Sequence, residues 1–250
     1  MLIDTHAHID SNNYENILEV INNAKTDNVL KIINCALDVF TCEKVLEISR
    51  KYKNIVYPSL GFHPGNLDDL LEDDLKTLEK YIKNNKIIAI GEIGLDYYYG
   101  KNNREKQITF FKKQLQLAHK YNLPVIVHSR ESTLDTLNTL KEYNVKGVIH
   151  CFNGSLETAK EYIKMGFYLG IGGLITFKNS KLKEVIKYIP LEYLLLETDC
   201  PYMTPEPYRK FKNEPKYIKV VAEYIAELKS VSVEEVEKIT TNNAFKIFDF

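Results

Sequence analysis

Eight short runs of β-forming residues recur along the chain, and each is followed by a stretch with helical periodicity. This alternation leaves few folds open. The runs are Leu2 to His6, Val29 to Cys35, Ile55 to Leu60, Ile87 to Ile90, Pro124 to Val127, Gly147 to His150, Phe167 to Ile171 and Leu194 to Leu196. Several, such as "IIAI" and "PVIVH", are apolar without alternation, as expected of parallel strands buried on both faces. Between them, "LEDDLKTLEKYIK" sets Leu71, Leu75, Leu78 and Ile82 at helical spacing, and "FFKKQLQLAHKY" gathers Phe110, Leu117 and Tyr121 on one side. Ser155 is expected to cap a helix that ends at Gly166. Two further helices, around residues 215–229 and 233–248, close the chain.

Eight strand–helix units in 250 residues have the size and rhythm of an α/β fold of the (β/α)8 type, a TIM barrel. An open doubly wound sheet is the competitor. No repeat, low-complexity tract or linker interrupts the chain, so one domain over residues 1–250 is the simplest account. The sequence is 44% hydrophobic and 27% charged, the balance of a soluble globular protein. It has no apolar run of the roughly 18–20 residues that a membrane helix needs. Acidic Asp4 and Asp10 stand where a signal peptide would be apolar. These features predict a cytoplasmic protein that does not engage membranes, a monomer or weak oligomer. None of the four cysteines forms a C-x-x-C pair, so reduced thiols are expected. A net charge of −1 argues against coating nucleic acid by charge alone, though not against gripping a few phosphates.

The chemistry-bearing residues stand where the strands end. His6 and His8 follow the first strand, two apart and so on one face, with Asp4 expected on that face before them. His63 follows the third, Glu92 and Asp96 the fourth, His128 and Arg130 the fifth, His150 the sixth, and Glu197 and Asp199 the eighth. In a barrel all these points share the C-terminal face, where active sites form. Five of the six histidines lie there; His119, inside an amphipathic helix, reads as a surface residue. A catalytic zinc takes about three protein ligands. Four histidines with two or three carboxylates therefore suit two ions roughly 3.5–4 Å apart. Glu92, with two oxygens and flanked by Gly91 and Gly94, is the natural bridge. Imidazole and carboxylate together admit zinc, manganese or magnesium.

Other residues carry two readings each. His63 either contacts phosphate or fixes the "GFHPG" turn. Asp96 and Glu197 either orient a ligand from behind or serve as a cap and a buried acid. The run Tyr97-Tyr98-Tyr99 either stacks on bases or packs a loop. Arg130 is the better phosphate candidate, two residues beyond a proposed ligand. The basic stretch from Arg209 to Lys216 either tracks a nucleic-acid backbone or is a solvated loop.

Taken in order, "DTHAHID", "GFHP", "GEIGLDYY", "PVIVHSR", "HCFNG" and "LLLETDCPYMTP" resemble the TatD family of metal-dependent deoxyribonucleases over the whole length. That family is similar to the amidohydrolase superfamily of barrels. The resemblance implies that His6 and His8 bind one divalent ion and His128 and His150 the other, with Glu92 bridging. Asp199 would ligate, orient the attacking water and take its proton, so Asp199 and Glu92 are the expected catalytic pair. Arg130, Arg209 and His63 would neutralise the phosphate of a DNA substrate. The resemblance further implies attack from the 3′ end of single strands, in DNA repair or turnover. Two positions depart from the family pattern: Cys200 replaces a serine and reads as a small filler, and Lys210 replaces a glycine after Arg209. The rival is a small-molecule amidohydrolase or esterase with the same dinuclear centre. The cationic Arg209, Lys210 and Lys212 argue against it, since a small substrate has no need of them.

Overall fold

The structure, a computed structural model, describes residues 1–98 and 102–250. Eight strands form one sheet in sequential order: β1 (Leu2–Ala7), β2 (Val29–Cys35), β3 (Val56–Leu60), β4 (Ala89–Asp96), β5 (Val125–Arg130), β6 (Gly147–Ile149), β7 (Phe167–Ile171) and β8 (Leu194–Leu196). Every neighbouring pair is parallel. The helices between them are α1 (Ile17–Thr26), α2 (Val39–Lys51), α3 (Glu72–Asn84), α4 (Arg104–Tyr121), α5 (Thr133–Lys141), α6 (Leu156–Lys164) and the short α7 (Leu182–Ile186). After β8 come α8 (Ile218–Lys229) and α9 (Val233–Ile247). This is the expected (β/α)8 barrel, and among the described residues no helix is long and apolar enough to cross a membrane.

The ring closes just beyond β8. Ala7 and Cys200 form a parallel bridge, the Asp199 N–H donates to the His6 carbonyl (3.0 Å), and the His8 N–H donates to the Cys200 carbonyl (2.8 Å). Asp4 locks this seam. Its fully buried carboxylate accepts from the Thr198 N–H (2.9 Å) and hydroxyl (2.6 Å). Burial pushes the Asp4 carboxyl up to about 8 despite these bonds.

Two apolar layers explain the strand composition. Ile3, Ile33, Tyr57, Ala89, Ile126, Val148, Tyr168 and Leu195, drawn from all eight strands, meet inside the barrel with Ala244 and Phe248 beneath them. Outward residues such as Leu2, Ile32, Val125 and Val127 pack against the helices. Above the inner apolar layer the same inward columns turn polar. Ile126 is followed by His128 and Arg130, Val148 by His150, and Leu195 by Glu197 and Asp199.

Three register slips interrupt the ladder, one of them at Leu2/Ile3 low in the β1–β2 pair, and the other two adjust this alternation at the upper end. In β1 the register slips between Asp4 and Ala7, and in β4 between Ile90 and Ile93. Each of these two slips sets two outward residues three apart with two residues between them, and turns the second of these inward, His6 in one strand and Glu92 in the other. Asp4, paired opposite outward-facing Ile32, thus turns to Thr198 rather than sharing a face with His6. The bulge in β4 also carries that strand on to Asp96, well past the apolar run ending at Ile90. Gly94 follows it with φ +139°, where a Cβ would stand 2.0 Å from the His128 carbonyl oxygen.

Two helices differ from their expected faces. Leu71 precedes α3 and is 70% exposed, whereas Leu75, Leu78 and Ile82 are buried. In α4 the buried stripe is Gln107, Phe110, Phe111, Gln114, Leu115 and Ala118, with Leu117 and Tyr121 only partly covered. The glutamines are inside because their amides pair with backbone: Gln114 with both polar groups of Phe62, Gln107 with those of Asp96. Ser155 does cap α6, accepting from the Thr158 N–H, and Gly166 lies beyond it at φ +86°.

Replacing Asp4 with alanine strands the buried Thr198 donors at the closing seam. We expect a loss on the order of 2–4 kcal/mol, measured by denaturant unfolding of the metal-free protein. An unchanged midpoint would show that the seam does not depend on this carboxylate.

Candidate metal centre

Glu92, buried at the centre of the upper barrel, divides its two oxygens between two groups of imidazoles. Its Oε2 lies 3.3 Å from Nε2 of both His6 and His8. Its Oε1 lies 2.7 Å from His150 Nε2 and 2.8 Å from His128 Nδ1. Asp199 Oδ1 stands 3.6 and 3.7 Å from Nε2 of His6 and His8. The backbone of Asp199 is held at φ +55°, in the left-handed region, a costly conformation found at functional sites.

The groups behind the rings decide which nitrogen carries the proton. His8 Nδ1 faces the Cys35 carbonyl at 3.0 Å, and a carbonyl only accepts. Nδ1 is therefore the donor, and the Nε2 lone pair points at Glu92. His128 Nε2 donates to Asp96 Oδ2 at 3.0 Å, which turns its Nδ1 lone pair inward. His150 Nδ1 faces Glu197 Oε1 at 3.7 Å, and His6 Nδ1 lies 3.5 Å from the Cys35 thiol. A lone pair aimed at a carboxylate oxygen from about 3 Å is repelled unless a cation or proton lies between. Buried imidazoles backed by carboxylate or carbonyl are how proteins orient metal ligands. The donor set therefore fits metal ions, with His6, His8 and Asp199 on one side of Glu92 and His128 and His150 on the other.

His63 stands close to the same cluster, its Nε2 3.4 Å from Glu92 Oε1. Its nitrogen, Nδ1, accepts from the Gly65 N–H at 3.0 Å, which fixes the "GFHPG" turn. Burial pushes the ring down to about 3, so it is neutral, with its one proton on Nε2 facing the centre. His63 thus presents a hydrogen-bond donor to the centre, within reach of Glu92 and His128.

Protons compete with cations for the inward lone pairs. Burial alone would push His150, His8 and His128 down. The carboxylates outweigh it, chiefly Glu92 with Glu197 at His150 and Asp96 at His128, and hold His150 well above, and His8 and His128 above, the ordinary value of 6.5. Burial and the His150 ring stacked on it at 3.9 Å hold His6 well below. Burial pushes the Glu92 carboxyl up, but the imidazoles around it, the His150 ring first, prevail and hold it well below the carboxylate range.

A cleft of about 560 Å³ opens over this cluster, lined by His128, Arg130, His150, Asp199, Tyr98 and Cys151 among others. The Arg130 guanidinium lies 3.6 Å above the centre of the Tyr98 ring, which is half exposed. Tyr97 is buried and donates to Asp135, so it packs the loop; Tyr99 falls outside the described residues. Arg209 is exposed but not part of the cleft lining; it donates to the Thr204 carbonyl (2.9 Å) and covers the Phe177 ring. Lys212 donates to the Asn13 carbonyl. Cys200 is fully buried in the outer core, as a filler would be. His119 is exposed.

Sequence reasoning missed the supports. Cys35 backs two ligands at once through its carbonyl and thiol. The Cys151 N–H donates to Glu197 Oε1 at 2.5 Å. Gly170 makes room for that carboxylate, since a Cβ there would stand 2.1 Å from Glu197 Oε2. The inward glycine of "FYLGIGG" was the one available signal.

The sequence model of the family described as "TatD related DNase" matches residues 3–249. An uncharacterized metal-dependent hydrolase of Bacillus subtilis is 45% identical, over 99% of both chains. The human deoxyribonuclease TATDN3 is 37% identical, over 99% of this chain and 94% of that protein. Among solved structures, the TatD homologue YjjV of Escherichia coli K12 superposes with a TM-score of 0.94 at 32% identity, covering 100% of this chain and 98% of its own.

Two measurements follow from this geometry. Elemental analysis after manganese reconstitution should approach two ions per chain, with Glu92→Ala losing both and His6→Ala retaining about one. Equal retention in the two variants would contradict the shared role of Glu92. On acidification, His150, His8 and His128 take up protons from above pH 6.5 downward, so bound metal should fall through neutral pH. Higher free metal should move that loss to lower pH; a loss indifferent to metal concentration would show that protons and ions do not share these nitrogens.

Proposed function

The chain belongs to the TatD related DNase family of metal-dependent hydrolases, and from that premise we propose that it is a deoxyribonuclease with two divalent ions at Glu92. The observation that carries the reading is the division of the Glu92 carboxylate, one oxygen to each group of histidines. His6, His8 and Asp199 would hold one ion and His128 and His150 the other, zinc, magnesium or manganese, supplying Lewis acidity and a water of lowered pKa.

The chain's own residues do the rest. Asp199 takes the proton of the attacking water as its oxygen bonds to phosphorus. Burial pushes this carboxyl up to about 6 in the metal-free site, and a cation beside it would keep it ionised and able to take the proton. The proton passes to the oxygen that leaves as the P–O bond breaks. His63, neutral with Nε2–H directed at the centre, donates to a phosphate oxygen. Asp96 keeps His128 in its working tautomer, and Glu197 places a carboxylate behind His150.

Arg130 sits at the cleft wall beside the ligands and would pair with the neighbouring phosphate, while Tyr98 offers its ring to a base. Arg209, exposed beyond the cleft, would meet the strand further along. A site for a few phosphates at one mouth of the barrel suits the end of a single strand, and the family resemblance adds 3′ to 5′ polarity and a place in DNA repair or turnover. The free thiols Cys35, Cys42, Cys151 and Cys200 agree with a cytoplasmic setting, and we take the protein to act as a monomer or weak oligomer.

Arg130→Ala tests the substrate. We expect kcat/KM on end-labelled single-stranded DNA to fall about 10- to 100-fold, one charge-assisted contact, and the salt slope of binding to drop by about 0.7. Metal content and turnover of a nitrophenyl phosphodiester should change little. If the parent protein ignores DNA but hydrolyses small amides or carboxylic esters, the amidohydrolase reading replaces this one.

A further inference from the structure

A second cavity, of about 590 Å³, lies at the opposite end of the barrel from the histidines. It opens between the starts of β3 and β4, the last turn of α2 and the segment after α9. In TIM barrels this N-terminal face usually serves stability, and its charge here is out of keeping with that role. Lys31, Arg50, Lys53 and Lys86 line the cavity against one side-chain carboxylate, Asp249, on a chain of net charge −1. Among the described residues no carboxylate lies within 4.0 Å of any of the four cations.

Lys31 is the most telling. It is the inward residue of β2 below Ile33, and it is half-buried. Its ammonium donates to the Tyr57 hydroxyl (2.6 Å) and lies 4.6 and 5.1 Å from the ring centres of Tyr57 and Phe250. A lysine drawn from water into an aromatic setting with no carboxylate is short of an anion. Leu46, Val56, Ile87 and Ile88 add apolar wall, and Asn54 and Asn85 stand beside the cations, with Arg50 donating to Asn85 Oδ1 at 2.8 Å.

Inorganic phosphate would match the cations and leave the rings and the apolar wall wet. A hydrocarbon would cover the wall and leave the cations unmatched. The volume is in the usual range for a small-molecule site, about 300–1,000 Å³. We propose that this cavity binds an organic monophosphate with a planar body, of the mononucleotide class. The phosphate sits among Arg50, Lys53 and Lys86, and the planar body lies against Tyr57 and Phe250. The site stands apart from the metal centre and does not rest on the nuclease reading.

Photolabelling of the metal-loaded protein with 8-azido-AMP, mapped by mass spectrometry, tests it. The label should fall on the segments carrying Tyr57 or Phe250, and dAMP should compete it about tenfold better than inorganic phosphate. The charge reversal K53E/K86E, at two exposed lysines, should cut labelling there about tenfold while DNA hydrolysis and metal content stay at parental values. Label confined to the cleft around Arg130 and Tyr98, label unaffected by K53E/K86E, or equal competition by inorganic phosphate would each overturn the proposal.

Discussion

The upper barrel is organised around one buried carboxylate facing five imidazole nitrogens, four of them ligand candidates and the fifth, His63 Nε2, carrying a proton. Glu92 cannot hold that position by ordinary hydrogen bonding, because the groups behind His8 and His128 have already taken the ring protons. What remains toward the centre is negative charge facing lone pairs, an arrangement that requires cations or protons to persist. The fold supplies the restraint that keeps the groups together. The four candidate ligand rings stand at or just beyond the ends of three strands, β1, β5 and β6, and each strand is anchored below by the inner apolar layer from Ile3 to Leu195.

Two bulges give the barrel its chemistry. A strand that kept strict alternation would have turned His6 and Glu92 toward the helices, since Asp4, Ala7, Ile90 and Ile93 all face outward. Slipping the register by one residue in β1 and in β4 reverses the two side chains that most need to face the centre. The same slip in β1 releases Asp4 to tie Thr198 across the closing seam. Closure and metal binding are thus coupled through adjacent residues, with His6 and His8 on one side of the seam and Asp199 on the other.

Much of this was legible in the sequence, for a physical reason. A parallel barrel collects its strand ends on one face, so histidines and acids at strand ends must converge once the alternation of strand and helix is recognised. That logic singled out His6, His8, Glu92, His128, His150 and Asp199, and the structure places these six side chains together. It missed the end of β4 because Gly91, Glu92 and Gly94 do not look like strand residues, and they are tolerated only by the bulge. It missed the buried face of α4 because Gln107 and Gln114 pass for surface residues until their backbone partners are known. Arg209 reads as a free cation, but its contacts with Thr204 and Phe177 depend on how the loop after β8 folds. The cavity at the far end was invisible because Lys31, Lys53 and Lys86 are scattered along the chain and meet only when β2, β3 and β4 pair.

The central claim is that Glu92 lies between two cation positions, and anomalous diffraction from crystals of the manganese-loaded protein tests it most directly. Two anomalous peaks should flank the Glu92 carboxylate, one beside His6, His8 and Asp199 and the other beside His128 and His150. A single peak at full occupancy, or two peaks neither of which contacts Glu92, would contradict it.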